Sequence, residues 1–202
     1  MTQAMIGPMR MLTLAGMLAS SGCSARAQDA PLRSVDDPEA YTVVASLLPN
    51  EWPIRTANAK RLVFQQETGT NWECIPSGKP LDTEWRPVVD NFRAENASVR
   101  IVRPGFPLGR PYIVVPRADI EARLREVPTA PWSGFFKRYP DSGGFITVSA
   151  VGFDASKERA MVYISHSCGL LCGGGTHHLL EKIEGTWREA KIPGVSNCSW
   201  ES

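Results

Sequence analysis

The sequence predicts an α+β fold in which helices from the N-terminal half pack on a C-terminal antiparallel β-meander. Three observations carry that expectation. Apolar residues recur at helical spacing early in the chain, as in Tyr41, Val44 and Leu48 or Trp85, Val88, Val89 and Phe92. After Asp141-Ser-Gly-Gly144 the pattern changes to short β-rich runs parted by turn residues. Hydrophobic residues make up 43% of the chain, enough to build a core for the single domain expected over residues 28–202.

Residues 1–27 read as a secretory leader. They hold Arg10, a short apolar run at 11–19 and small residues at Ala25-Arg26-Ala27, which suits cleavage before Gln28. The run is well short of the roughly 20 apolar residues that span a bilayer. Leu18-Ala-Ser-Ser-Gly22-Cys23 gives a competing reading, an imperfect lipobox with Cys23 as the lipidated residue. Both place the protein outside the cytoplasm, in the periplasm, on the envelope or secreted, where disulfides persist.

Within the remainder, residues 28–35 read as a linker. Asp37-Pro38 forms an N-cap and first helical position, and Pro49 marks that helix's end. Residues 61–66 are strand-like and 68–80 a loop. A second helix is expected over 82–95, with Pro87 allowing a start at Arg86. Residues 99–102 and 112–115 read as short strands and 117–125 as a helix. Trp132, Phe135, Phe136 and Tyr139 form an aromatic stripe best explained as core packing. Four strands follow at 145–153, 159–165, 177–183 and 186–192, with Glu184-Gly185 as a hairpin turn.

The formal charge is +1, and it falls to −1 without residues 1–27, which contain Arg10, Arg26 and no acid. The basic excess of a nucleic-acid-binding protein is missing. There is no polybasic membrane patch either, so membrane contact is expected only through a lipid anchor at Cys23.

Cys74, Cys168, Cys172 and Cys198 remain after either processing route, an even number that suggests two disulfides among three possible pairings. Cys168–Cys172 with Cys74–Cys198 is the favoured pairing. In the chain-entropy picture the local ring contributes about 2 kcal/mol, and the long link roughly 5 kcal/mol before strain. The long link would also hold a Gly/Ser/Asn-containing tail that otherwise frays.

The richest stretch runs from Tyr163 to Leu180. It contains His166, His177 and His178, which are all the histidines, together with Cys168, Cys172 and Gly173-Gly174-Gly175. Val151-Gly-Phe-Asp154, Ala160-Met-Val-Tyr-Ile-Ser-His166, Cys168-Gly-Leu-Leu-Cys172-Gly-Gly-Gly, Leu179-Leu-Glu-Lys182 and Gly185-Thr-Trp187 together resemble a family of uncharacterised bacterial exported proteins and lipoproteins. The likeness implies export and an α+β fold, and no activity, substrate or cofactor.

Several chemistries fit the hairpin in principle. His166, Cys168, Cys172 and His177 or His178 are donor types that suit zinc. Their spacing matches no zinc signature, and exported thiols tend to oxidise. Cys168 or Cys172 as a nucleophile would need a low-pKa thiol, a histidine base and an orienting acid such as Glu181 or Asp154. A redox pair at Cys168 and Cys172 departs from the usual spacing of two intervening residues. The triple glycine could cradle an anion, but no helix or Lys-Ser/Thr follows, and a turn needing positive φ is the plainer reading. Ser165 and His166 point to opposite faces of a strand and make no dyad. The sequence thus favours a non-enzymatic exported domain, for binding or envelope structure, stabilised by disulfides and without a cofactor. The alternative is a metal- or thiol-dependent enzyme, with zinc as its metal, centred on the hairpin from His166 to His178.

Overall fold

A computed structural model describes residues 31–51, 59–196 and 198–202. The expected leader, its cleavage site and Cys23 lie outside the described residues. Helix α1 (Pro38–Glu51) begins as the sequence requires: Asp37 Oδ1 accepts the Glu39 N–H at 3.0 Å, and Pro38 sits where its missing N–H costs nothing. The helix continues past Pro49, its expected end, to Glu51. A proline forfeits one backbone bond, and the last turn has few left to lose.

Among the described residues, four α-helices and an eight-stranded mixed sheet give the α+β class. The strands are β1 (Leu62–Gln65), β2 (Tyr112–Val115), β3 (Phe145–Val148), β4 (Gly152–Phe153), β5 (Arg159–Gly169), β6 (Cys172–Ile183), β7 (Thr186–Glu189) and β8 (Ser199–Glu201). The main order is β2-β1-β3-β5-β6-β7, with β4 paired to β5 and β8 to β6. From β3 onward the pairing is antiparallel, but β1 runs parallel to both β2 and β3. The N-terminal half therefore adds strands to the sheet as well as helices against it. Parallel neighbours need long crossovers, and helices α2 (Arg86–Glu95), α3 (Arg117–Arg125) and α4 (Pro131–Arg138) lie in those crossovers. All four residues of β1 are buried, as expected of a strand covered on both faces.

Other element boundaries also differ from the sequence reading. Residues 99–102 form a clip instead of a strand: Ile101 bridges Ser34 and Glu67, and Val102 N–H donates to Gln66 O at 2.7 Å before Pro104 removes the next-but-one donor. Residues 145–153 divide into β3 and β4, because the Asn96 side chain takes both the N–H and the C=O of Ala150, at 2.9 Å each. The 82–95 helix is a 3₁₀ turn (Lys79–Asp82) followed by α2 from Arg86, in keeping with Pro87 in its first turn.

The register assigns the faces. Phe64, Ile146, Val162, Ile164 and Leu180 point to one side and pack with Val43, Val44 and Leu47 of α1. The opposite side is shared. Met161, Tyr163 and Leu179 meet Trp85, Val88, Val89 and Phe92 of α2. Val63 and Val115 meet Ile120 of α3 and Phe135 of α4. The aromatic stripe of α4 is core: Phe135 lies 5.0 Å from Tyr139, and Trp132 stacks on Phe145 at 5.8 Å between centroids. On the α1 face, Glu39 of α1 accepts from Trp187 Nε1 at 2.5 Å and pairs with Lys182 Nζ at 2.8 Å. The Lys182 hydrogen bond outweighs desolvation and holds the Glu39 carboxyl below its ordinary pKa. Among the described residues no helix is long and apolar enough to cross a membrane.

Candidate functional site

Strands β5 and β6 form one long hairpin closed by the two-residue turn Leu170-Leu171, with a bulge between Ser167 and Gly169. Both strands outrun the expected ones. The hairpin runs from its tip, with His166 close behind, back to the middle of the two strands, where His177 and His178 sit.

The four cysteines among the described residues are joined in two pairs. Cys168 is bonded to Cys172 across the tip, with Cα atoms 5.0 Å apart. Cys74 is bonded to Cys198, with Cα atoms 5.5 Å apart and 124 residues between them in sequence. A bonded sulfur is neither a thiolate nucleophile nor a free thiolate ligand.

The three histidines do not converge. His177 lies opposite Tyr163 and His178 opposite Val162, so the two neighbours occupy opposite faces of the sheet. His166, opposite Gly174, shares the α1 face with His178 but lies four residues further along β5 than Val162, about 13 Å at the usual strand rise. Each is deeply buried in its own setting. His166 Nε2 bonds Gly143 O at 2.9 Å. His178 Nδ1 bonds Glu189 Oε1 at 3.0 Å, an interaction that lowers the Glu189 pKa. His177 packs between the rings of Tyr163 and Phe92, at 4.7 and 5.7 Å, with Nε2 3.3 Å from Thr70 Oγ1. Its Nδ1 is buried and has no hydrogen-bond partner among the described residues. Burial, reinforced by the charge of neighbouring His178, lowers the His177 pKa to about 4, so the ring is neutral at pH 7.

The set read as a zinc site, His166, Cys168, Cys172, His177 and His178, is thus divided among the tip, the α1 face and the α2 face. No group of three or more His, Cys, Asp or Glu side chains among the described residues is placed to hold a metal. The acids expected to orient a base are engaged elsewhere. Asp154 caps the β4–β5 turn by accepting from the Glu158 and Arg159 N–H groups, and Glu181 pairs with Arg159 at 3.5 Å. Glu189, which sequence reading did not single out, does meet a histidine, His178. Its place across β6 and β7 follows from register, which spacing alone does not reveal.

The triple glycine is not a turn. Gly173, Gly174 and Gly175 lie within β6, and none has positive φ. Their reason is room. A Cβ on Gly175 would collide with the Tyr163 hydroxyl and sit 2.6 Å from Trp200 Nε1, which donate and accept with each other at 2.7 Å over that position, the indole N–H being the donor. The sequence signal for this was the tryptophan in the tail, which β8 brings beside Gly175.

A separate groove of about 840 Å³ lies beside the start of α1, lined by Arg33, Asp36, Asp37, Asn91, Glu95 and Lys157 among others. Its main charges are already paired, Arg100 with Glu95 at 2.8 Å and Lys157 with Asp37 at 2.7 Å. The feature that sequence reading passed over is the tip itself. Leu170 and Leu171 are 78% and 87% exposed. The signal was present in the chain, in that neither is a turn-forming residue.

No family model, curated protein or solved structure matches this chain.

Proposed function

We propose that the chain acts outside the cytoplasm as a non-enzymatic domain, braced by two disulfides, that binds a partner or contributes to envelope structure. On this reading residues 1–27 are a leader, removed before Gln28 or ending in a lipid on Cys23. The observation that carries it is the fate of the reactive side chains. Both cysteines of the hairpin are bonded to each other, and His177 and His178 are buried on opposite faces. On this reading the residues that could do chemistry serve the fold. The oxidised cysteines also fit a compartment where such bonds last.

Intact-mass measurement of the native exported protein, with thiol alkylation before and after reduction, tests the reading. The expected result is no label before reduction and four labels after it. Labelled Cys168 and Cys172 in native material, or one zinc ion carried by them, would return the hairpin to the list of catalysts.

A further inference from the structure

We propose that the apex of the β5–β6 hairpin, Leu170 and Leu171, inserts into the apolar edge of a lipid bilayer. This deepens the non-enzymatic reading by naming a partner, and it adds a contact where the sequence led us to expect only a lipid anchor at Cys23.

The exposure is the first argument. Two adjacent leucines form the whole of a two-residue turn, at 78% and 87% exposure. Glycine, asparagine and aspartate dominate such turns because they accept the backbone angles and favour water. Single exposed apolar residues are ordinary. A pair at the point of a projecting turn is different, because both side chains can enter an apolar phase together. The Cys168–Cys172 bond ties the strands directly behind them, so the leucines are presented on a fixed base.

The second argument selects a bilayer over a protein pocket. Hydrocarbon offers no partner for a charge or for a bare backbone group, whereas a protein pocket can supply either. The chain from residue 160 to 180 contains no Asp, Glu, Lys or Arg. Behind the tip the ladder is closed on both sides. Ser167 pairs with Phe145 of β3 and with Gly173 of β6, and Gly173 exchanges two hydrogen bonds with Ser202. The leading edge therefore combines two large apolar side chains with serine, glycine and a disulfide, and neither strand of the hairpin brings a charged side chain in with it. Glu201, opposite Gly174, sets the depth: the leucines go in and the carboxylate stays among the headgroups. A contact of this size is reversible by itself and becomes firm when joined to a second attachment such as an acyl chain.

The test uses the full chain carrying Cys23→Ser, so that no acyl anchor contributes. It is sedimented with phosphatidylcholine vesicles and with vesicles containing phosphatidylglycerol. Binding to both is expected, with little effect of salt, because no cation takes part. Adding Leu170→Ser and Leu171→Ser should lower partitioning about tenfold or more, with the melting temperature unchanged. In the Cys23→Ser background, Leu171→Trp should keep the binding and add an emission component that bromolipid quenches. The proposal is overturned if the parent does not bind, if the serine variant binds equally well, or if the added tryptophan is not quenched. It is also overturned if the serine changes convert a dimer to a monomer, since the occupant would then be a second copy. Free thiols in the mass measurement would end the non-enzymatic reading and leave the vesicle result standing.

Discussion

The two ends of the β5–β6 hairpin follow opposite rules. At its centre Tyr163, His177 and Phe92 are packed until even a methyl group at Gly175 has no space, and a polar ring nitrogen, His177 Nδ1, has no partner among the described residues. At its tip the two most exposed large apolar side chains of the described residues sit in water. Each end has its own disulfide. Cys74–Cys198 closes over 124 residues beside the centre, where His177 N–H reaches Cys198 O at 3.4 Å, while Cys168–Cys172 spans four residues at the tip. The difference teaches that one motif can hold a core together at one end and offer a surface at the other. Clustering of reactive residue types in a sequence need not mean clustering in space.

The largest effect should come from the long disulfide. Replacing Cys74 and Cys198 by serine should cost up to about 5 kcal/mol, against about 2 kcal/mol for Cys168 and Cys172. Urea titration of the two double variants compares them, and equal losses would erase the distinction between the ends. Next is acid. A buried neutral His177 with a pKa near 4 means that the unfolded chain binds more protons below its ordinary value of 6.5. Stability attributable to this ring is therefore full above pH 6.5 and declines as pH falls from 6.5 to about 4, by about 3 kcal/mol in all. Urea midpoints at pH 7 and pH 4.5 should show that decline, and His177→Gln should flatten it. Gly175→Ala should cost about 1–3 kcal/mol, as overpacking does, and should disturb the Tyr163–Trp200 contact seen in near-ultraviolet circular dichroism. The smallest effect belongs to the tip. Leu170→Ser with Leu171→Ser should shift stability by less than about 0.5 kcal/mol, because neither side chain is packed.

These contrasts also show what the chain discloses before it is folded. Helix starts were legible where local chemistry decides them, as at Asp37-Pro38 and around Pro87. The aromatic stripe from Trp132 to Tyr139 was legible as core for the same reason. The orientation of β1 was not, since Leu62-Val-Phe-Gln65 reads alike in a parallel or an antiparallel sheet. The split of 145–153 depends on Asn96, which lies 54 residues from Ala150. Gly173-Gly174-Gly175 suggested a turn because glycine frees the backbone, but here it is the lost side chain that counts. The site failed as a cluster for a simple geometric reason: neighbours on a strand, such as His177 and His178, belong to different layers.

The spans of the two disulfides set a sequence of events when the reduced chain first meets an oxidant. Cys168 and Cys172 stand four residues apart and collide often, whereas Cys74 must find Cys198 across most of the fold. The near pair should close first. Once it has, and where Cys23 has been removed with a leader or acylated, Cys74 and Cys198 are the thiols left, and only one further bond can form. The quick local link thereby protects the slow distant one from mismatching.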